Sequence, residues 1–217
     1  MASQIIYGRQ PVAEAERGRR RVHRVWRAPE TDAYELERLC GSPDHQGVVA
    51  EVDPYPYGDA KALLRRDDAL IVALDQVQDP RNLGAVCRSA EVAGAAGLIV
   101  PERRAAAISA AACKASAGAV EHLEIAHVRN LSDWLADAKE AGFWIWGADA
   151  DAEAAPWSVD LKGPTVLVLG GEGKGLRPRV AASCDGLLAL PQRGQIDSLN
   201  VSAAATALLF EALRQRS

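Results

Sequence analysis

Asn82 and Arg88 stand in the stretch Asp75-Gln-Val-Gln-Asp-Pro-Arg-Asn-Leu-Gly-Ala-Val-Cys-Arg-Ser-Ala90, which leaves the apolar run Leu70–Leu74. Open α/β sheets place ligands beyond the C-terminal ends of their strands, so this is a position for chemistry. Pro80 stiffens the entry, Asn82 is placed to cap a helix beginning near Leu83, and Gly84 permits a close backbone approach. Arg88 follows Asn82 by six residues, under two helical turns, so both can point toward one end of a sheet. An arginine there holds a phosphate or helps activate a hydroxyl. The plainer alternative makes Asn82 a simple cap and Arg88 an ion-pair partner of Glu91 or Asp79.

Two further stretches have the same character. Leu167-Val-Leu-Gly-Gly-Glu-Gly-Lys-Gly-Leu176 puts Gly170, Gly171, Gly173 and Gly175 directly after a strand, where side chains would obstruct a bound planar or anionic group. Its spacing is neither the phosphate-loop GxxxxGK[ST] nor the dinucleotide GxGxxG. Glu172 is a lone carboxylate there, able to orient a substrate or simply to receive backbone amides. The third stretch, Leu190-Pro-Gln-Arg-Gly-Gln-Ile-Asp-Ser-Leu-Asn-Val-Ser-Ala-Ala204, offers Ser198 and Asn200 as caps of a last helix whose free amides can bind a polar ligand. Leu199 between them can press on an apolar ring. No GxSxG elbow is present, and His23, His45, His122 and His127 lie in unrelated contexts, which argues against a serine hydrolase.

The elements that must position these loops alternate strand with helix. Short apolar runs at Leu70–Leu74, Gly97–Val100, His122–Ala126, Phe143–Ala148, Thr165–Leu169 and Leu187–Leu190 are separated by helical stretches at Leu83–Ala96, Ala105–Ala117 and Leu131–Ala141, and Ser198–Arg216 closes the chain. That spacing predicts a mostly parallel sheet covered by helices on both faces. Residues 1–60 form a separate basic module, with helices near Pro11–Arg19 and Ala33–Cys40 and strands at Val22–Arg27 and Gly47–Val52. Asp53-Pro-Tyr-Pro-Tyr-Gly reads as its linker to residues 61–217.

A net charge of −4 argues against a protein that merely coats nucleic acid, yet residues 1–27 carry seven arginines against Glu14 and Glu16. Arg9, Arg19, Arg20 and Arg21, with Arg81, are candidates for phosphate contacts; a solvated polar face is the alternative. Cys40, Cys87, Cys113 and Cys184 form no CxxC pair, so scattered thiols are expected and no metal site. No apolar stretch approaches the roughly 20 residues of a membrane span, and the start lacks a signal-peptide segment, which points to a cytoplasmic enzyme.

Taken in order, DPRNLGAVCRSA, LGGEGKGL and LPQRGQIDSLNVSAA resemble the three signature motifs of the SpoU family of RNA ribose 2′-O-methyltransferases, over roughly residues 70–217. The segments YGRQPVAEA and SPDHQGVVA are similar to the substrate-binding module of bacterial members acting on 23S ribosomal RNA. The resemblance implies a SPOUT-class α/β domain with a deep C-terminal trefoil knot, a homodimer through the knotted region, and S-adenosyl-L-methionine as cofactor. It implies that Gly170, Gly171, Gly175, Leu190 and Leu199 line the cofactor site and that Asn82, Arg88, Glu172, Ser198 and Asn200 form the catalytic and substrate-orienting set. The implied reaction is attack of a ribose oxygen on the cofactor methyl, in 23S ribosomal RNA, with transfer RNA as the alternative target and a noncatalytic RNA-binding protein on the same fold as the rival class. Two departures stand out. The stretch between Trp26 and Cys40 is short for such a module, and Gln192 stands where methionine is frequent.

Overall fold

The computed structural model describes residues 3–171, 173, 175–195 and 198–217. In chain order the elements are β1 (Gln4–Tyr7), α1 (Arg9–Arg17), β2 (Val22–Arg27), α2 (Ala33–Cys40), β3 (Val48–Val52), α3 (Ala60–Leu63), β4 (Leu70–Asp75), α4 (Pro80–Val92), β5 (Gly97–Pro101), α5 (Ala110–Ala115), β6 (Ile125–Val128), α6 (Leu131–Glu140), β7 (Trp144–Ala148), β8 (Thr165–Gly170), α7 (Pro178–Ala182), β9 (Gly186–Leu188) and α8 (Val201–Arg216). They form two compact units. The first takes Met1–Pro56 together with Pro80–Arg88 and Ala107–His122; the second takes Tyr57–Asp79, Ser89–Ala106 and Leu123–Ser217.

In the first unit β1, β3 and β2 make an antiparallel sheet in that order. Val48, Val49, Ala50 and Val52 of β3 are buried, as befits a central strand. Asp32 caps α2 by accepting the Glu35 amide at 2.8 Å, and Gly41 closes that helix in the left-handed conformation. Inside the same unit Arg20 is buried against Glu121. Its Nε donates to Oε2 at 2.9 Å, Nη2 to Oε1, and Nη1 to Gln4 Oε1 at 2.7 Å.

The second unit holds a six-stranded sheet in the order β6-β5-β4-β8-β7-β9, every pairing parallel and flanked by helices. All six residues of β4 are buried, which explains the unbroken apolar run Leu70–Leu74 ahead of Asp75. Ile71, Ala73, Ile99, Ile145, Val166 and Val168 pack with Leu131, Trp134 and Leu135 of α6. From α8, Val201, Ala205, Leu208, Leu209 and Ala212 are buried.

Several boundaries differ from the sequence reading for identifiable reasons. The expected alanine-rich helix over Ala105–Ala117 is only Ala110–Ala115. Ser109 caps its start by accepting the Ala112 amide, and Ala117 and Gly118 turn left-handed at φ 51° and 88°. Helix α4 starts at Pro80, whose fixed φ and missing N–H suit a first turn, and so precedes the expected start at Leu83. Strand β6 begins at Ile125, because Ala119–Glu121 form a 3-10 turn ahead of His122.

Candidate active site

Strands β7, β8 and β9 end side by side, and the chain beyond them encloses a cleft of about 680 Å³. Its walls include Leu169, Gly170, Gly171, Gly173, Gly175 and Leu176 from the glycine loop, and Leu188, Leu190, Gln192, Ser198, Leu199 and Asn200 from the third loop. The two stretches meet because the sheet places β9 on β7 and β7 on β8. Leu199 is half-exposed, an apolar side chain standing in the cleft rather than in the core.

The glycine loop folds back on itself. Gly175 N donates to Gly171 O at 3.2 Å, and a Cβ at Gly170 would lie 2.1 Å from the Gly175 carbonyl carbon. Gly173 and Gly175 adopt φ of 71° and 60°, and a Cβ on either would meet nothing within 4 Å. The bare backbone there is open to a ligand. An alanine at Gly170 is therefore expected to push the loop out of place; if the loop holds the cofactor that the sequence resemblance implies, S-adenosylhomocysteine binding should weaken about tenfold or more by isothermal titration calorimetry, whereas wild-type affinity would show that the loop is not a cofactor contact.

A buried carboxylate anchors the loop's far end. Asp75, level with Gly170 across the β4–β8 ladder, accepts from the Arg177 amide at 2.9 Å and from its Nε at 2.7 Å. The Asp75 side chain is completely buried while Arg177 is part-exposed, so the pair holds the chain leaving the glycine loop and keeps its charge satisfied.

Asn200 is the cap of α8. Its Oδ1 accepts from the Ser202 amide at 2.8 Å and the Ser202 hydroxyl at 2.6 Å. Asn200→Ala is expected to cost about 1 kcal/mol, the usual value of a lost cap, read as a lowered urea midpoint at unchanged m-value. Ser198, two residues earlier, is exposed on the cleft wall and is not the cap of α8. Asn82 departs from its expected place: with α4 starting at Pro80, it is the third helical residue and not the cap, and it is buried.

The sequence-predicted residues thus fall into groups. Gly170, Gly171, Gly175, Leu190, Leu199, Ser198 and Asn200 line one cleft. Arg81, Asn82 and Arg88 lie on the part of α4 that belongs to the first unit, Arg81 and Arg88 exposed. Glu172 lies outside the described residues. Arg9, Arg19 and Arg21 are exposed, Arg9 donating to the Gln46 carbonyl at 3.2 Å and Arg19 to the Tyr55 hydroxyl at 3.1 Å. Arg20 is a correction: buried with Glu121, it has no surface on which to meet a phosphate. Ala148, Asp149, Ala150 and Asp151 also line the cleft and were missed; only the adjacency of β7 to β8, a tertiary fact, brings them in.

All four cysteines are free. Burial pushes Cys113 up to about 11 and Cys184 up to about 12, and raises Cys87 too, so these three thiols are protonated near neutral pH. Among the described residues no group of three His, Cys, Asp or Glu could hold a metal ion, and no helix is long and apolar enough to cross a membrane.

Residues 69–210 match the SpoU rRNA Methylase family. This chain belongs to that family. As a SpoU methylase it is an S-adenosylmethionine-dependent RNA methyltransferase. It is 44% identical over 178 residues to the 23S rRNA (guanosine-2'-O-)-methyltransferase RlmB of Pseudomonas aeruginosa, covering 80% of this chain and 72% of that protein. It is 37% identical over 243 residues to an uncharacterized tRNA/rRNA methyltransferase of Synechocystis, covering 99% of this chain but only 63% of that protein, so the chain spans less than two thirds of that relative. Among solved structures, the SpoU methyltransferase AviRb of Streptomyces viridochromogenes in complex with AdoMet aligns with a TM-score of 0.82 at 28% identity, over 98% of this chain and 90% of that one. An AdoMet-bound rRNA methyltransferase of Sinorhizobium meliloti aligns at 0.86 and 26% identity, over 98% and 87%. The cleft suits that cofactor. Leucine walls accept an adenine ring, and the open backbone at Gly173 and Gly175 admits close approach.

Proposed function

We propose that this SpoU methylase modifies a ribose 2′-hydroxyl in 23S ribosomal RNA. The observation that carries the reading is the single cleft made by the glycine loop and the third loop at the strand ends. The 23S target is supported by the similarity to the Pseudomonas RlmB. Transfer RNA is the second reading, favoured by the Synechocystis relative, whose name gives both classes of RNA.

S-adenosylmethionine, when bound, supplies a methyl group on an already activated sulfonium. The chain's own residues must then hold and orient. Gly170, Gly171, Gly175, Leu190 and Leu199 hold the cofactor. Ser198 and Asn200, at the head of α8, present polar groups where the ribose arrives. Arg88 grips the adjacent phosphate and stabilises the alkoxide as the hydroxyl proton leaves to water. Asn82 and Glu172 complete the orienting set in this proposal. Among the described residues the Arg88 side chain makes no hydrogen bond or ion pair, which leaves its five donors for the RNA. Ser89, next in the chain, is fixed by a 2.6 Å hydroxyl contact with Thr206 of α8.

The same reading takes residues 1–60 as a shortened RNA-binding module, with Arg9, Arg19, Arg21 and Arg81 on phosphates, and residues 61–217 as a knotted domain that dimerises in the cytoplasm. The test is transfer of labelled methyl from S-adenosylmethionine to separate pools of ribosomal and transfer RNA lacking ribose methylation, followed by mapping. One 2′-O-methyl site in 23S RNA is the expected result. A site in transfer RNA overturns the target and keeps the chemistry.

A further inference from the structure

Because all six strands of the second unit's sheet run parallel, their C-terminal ends lie along one edge. The cleft occupies the half of that edge formed by β8, β7 and β9. The other half carries different chemistry. Strand β5 ends at Pro101 and β6 at Val128, and just beyond them stand Arg103, Arg104 and Arg129, all exposed. Arg129 reaches Glu102 only at 4.0 Å, with its side chain 92% exposed. Arg103 and Arg104 make no hydrogen bond or ion pair with any described residue.

The segment bearing these cations is fixed. The Glu102 amide donates to Val128 O at 2.9 Å, tying it to the end of β6, and the Ala106 amide donates to Val77 O at 2.9 Å, tying it to the chain leaving β4. Arg104 is held at φ 58°, a conformation costly for a residue with a side chain and kept only where the surroundings impose it. Across the sheet the charge reverses. Asp149 and Asp151 line the cleft beyond β7, and Glu153 follows them. Arg177 at that end is bound to Asp75, and Arg193 in the loop after β9 is the exception.

We propose that Arg103, Arg104 and Arg129 form a track for the RNA backbone, leading from the cleft along the edge over β4 and β5 to β6. This rests on the RNA methyltransferase reading and adds the direction in which the substrate strand runs. A strand whose target ribose stands at the cleft must carry its phosphates one way or the other. Toward Asp149 and Asp151 they meet like charge; toward β5 and β6 they meet three cations not engaged by hydrogen bonds. Strands about 4.8 Å apart put β5 roughly 10 Å and β6 roughly 14 Å from β8, within reach of the nucleotides flanking the target.

The test compares wild type with Arg103→Gln/Arg104→Gly/Arg129→Gln; glycine is chosen at 104 because it accepts the positive φ. The probe is protein-free 23S RNA lacking ribose methylation, titrated by fluorescence anisotropy over a range of salt. Three lost phosphate contacts at about 0.7 each should lower the log–log salt slope by about 2, and should raise the KM for RNA about tenfold or more with kcat at saturating RNA within about twofold. S-adenosylhomocysteine affinity should stay at the wild-type value, reporting an intact fold and cleft. Replacing the three arginines by lysine should keep the salt slope, since a phosphate track needs charge more than fork geometry. An unchanged slope and unchanged KM in the neutral variant overturn the track alone. A wild type that binds S-adenosylhomocysteine yet transfers methyl to no RNA pool overturns the reading beneath it.

Discussion

Glu121→Ala is expected to destabilise the protein by about 3–5 kcal/mol, the usual cost of removing one partner of a buried ion pair. Arg20 and Glu121 have side-chain exposures of 0% and 1%, so neither charge is hydrated when the other is lost. Burial by itself lowers the Arg20 pKa. That is the largest single influence, but the hydrogen bonds Arg20 donates to Glu121, the Glu121 charge and Cys113, whose sulfur lies 3.4 Å from Nη2, together outweigh it, and the guanidinium ends above its ordinary range. A raised pKa contributes stability that is fully present below the unfolded value and lost only as pH rises through the folded one. The Arg20 contribution is therefore constant from neutral to mildly alkaline pH, and the deficit of Glu121→Ala should not be rescued anywhere in that window. The companion experiment is Arg20→Met/Glu121→Leu. Replacing both charges by apolar side chains removes the desolvation cost together with the attraction, so most of the loss should return. Urea unfolding of the three proteins decides it. A double variant as unstable as Glu121→Ala would mean that packing, and not an orphaned charge, governs this site.

That pair also marks where reading the sequence fails. In Arg19-Arg20-Arg21 the outer two arginines are exposed and the middle one is internal. A run of identical residues gives no sign of which faces inward, because the deciding partner lies 101 residues away. Asn82 and Asn200 make the same point. Asparagine is a residue type that caps helices, yet of these two only Asn200 does so, since Pro80 starts α4 two residues ahead of Asn82. Composition suggested a long helix at Ala105–Ala117, but the left-handed turn at Ala117–Gly118 cuts it short, and alanine gives no warning of such a turn. What was legible was what depends on local pattern. The unbroken apolar runs of β4, β5 and β8 are buried strands, and the glycines that crowd after β8 lie where the sheet edge opens. Asp149 and Asp151 were hidden for the opposite reason: their place in the cleft follows from strand order, which no local pattern encodes.

The proposed role of Arg88 makes the largest kinetic prediction. Arg88→Ala should lower methyl transfer to RNA by about 10²–10³, the effect of removing one donor aimed at a developing oxyanion. S-adenosylhomocysteine affinity should be unchanged, because the cleft proposed to hold the cofactor is lined by other residues. Stability should also hold, since Arg88 is exposed and its side chain makes no ion pair or hydrogen bond with the described residues. Lysine at this position separates the two tasks assigned to the arginine. It keeps the charge that attracts a phosphate but loses the planar fork that can serve phosphate and ribose oxygen together. Arg88→Lys should therefore recover RNA affinity while kcat stays well below wild type. If lysine restored kcat in full, charge alone would suffice and the orienting role would fall. If alanine left kcat untouched, Arg88 would have no part in the chemistry, and the donor for the ribose oxygen would have to come from elsewhere.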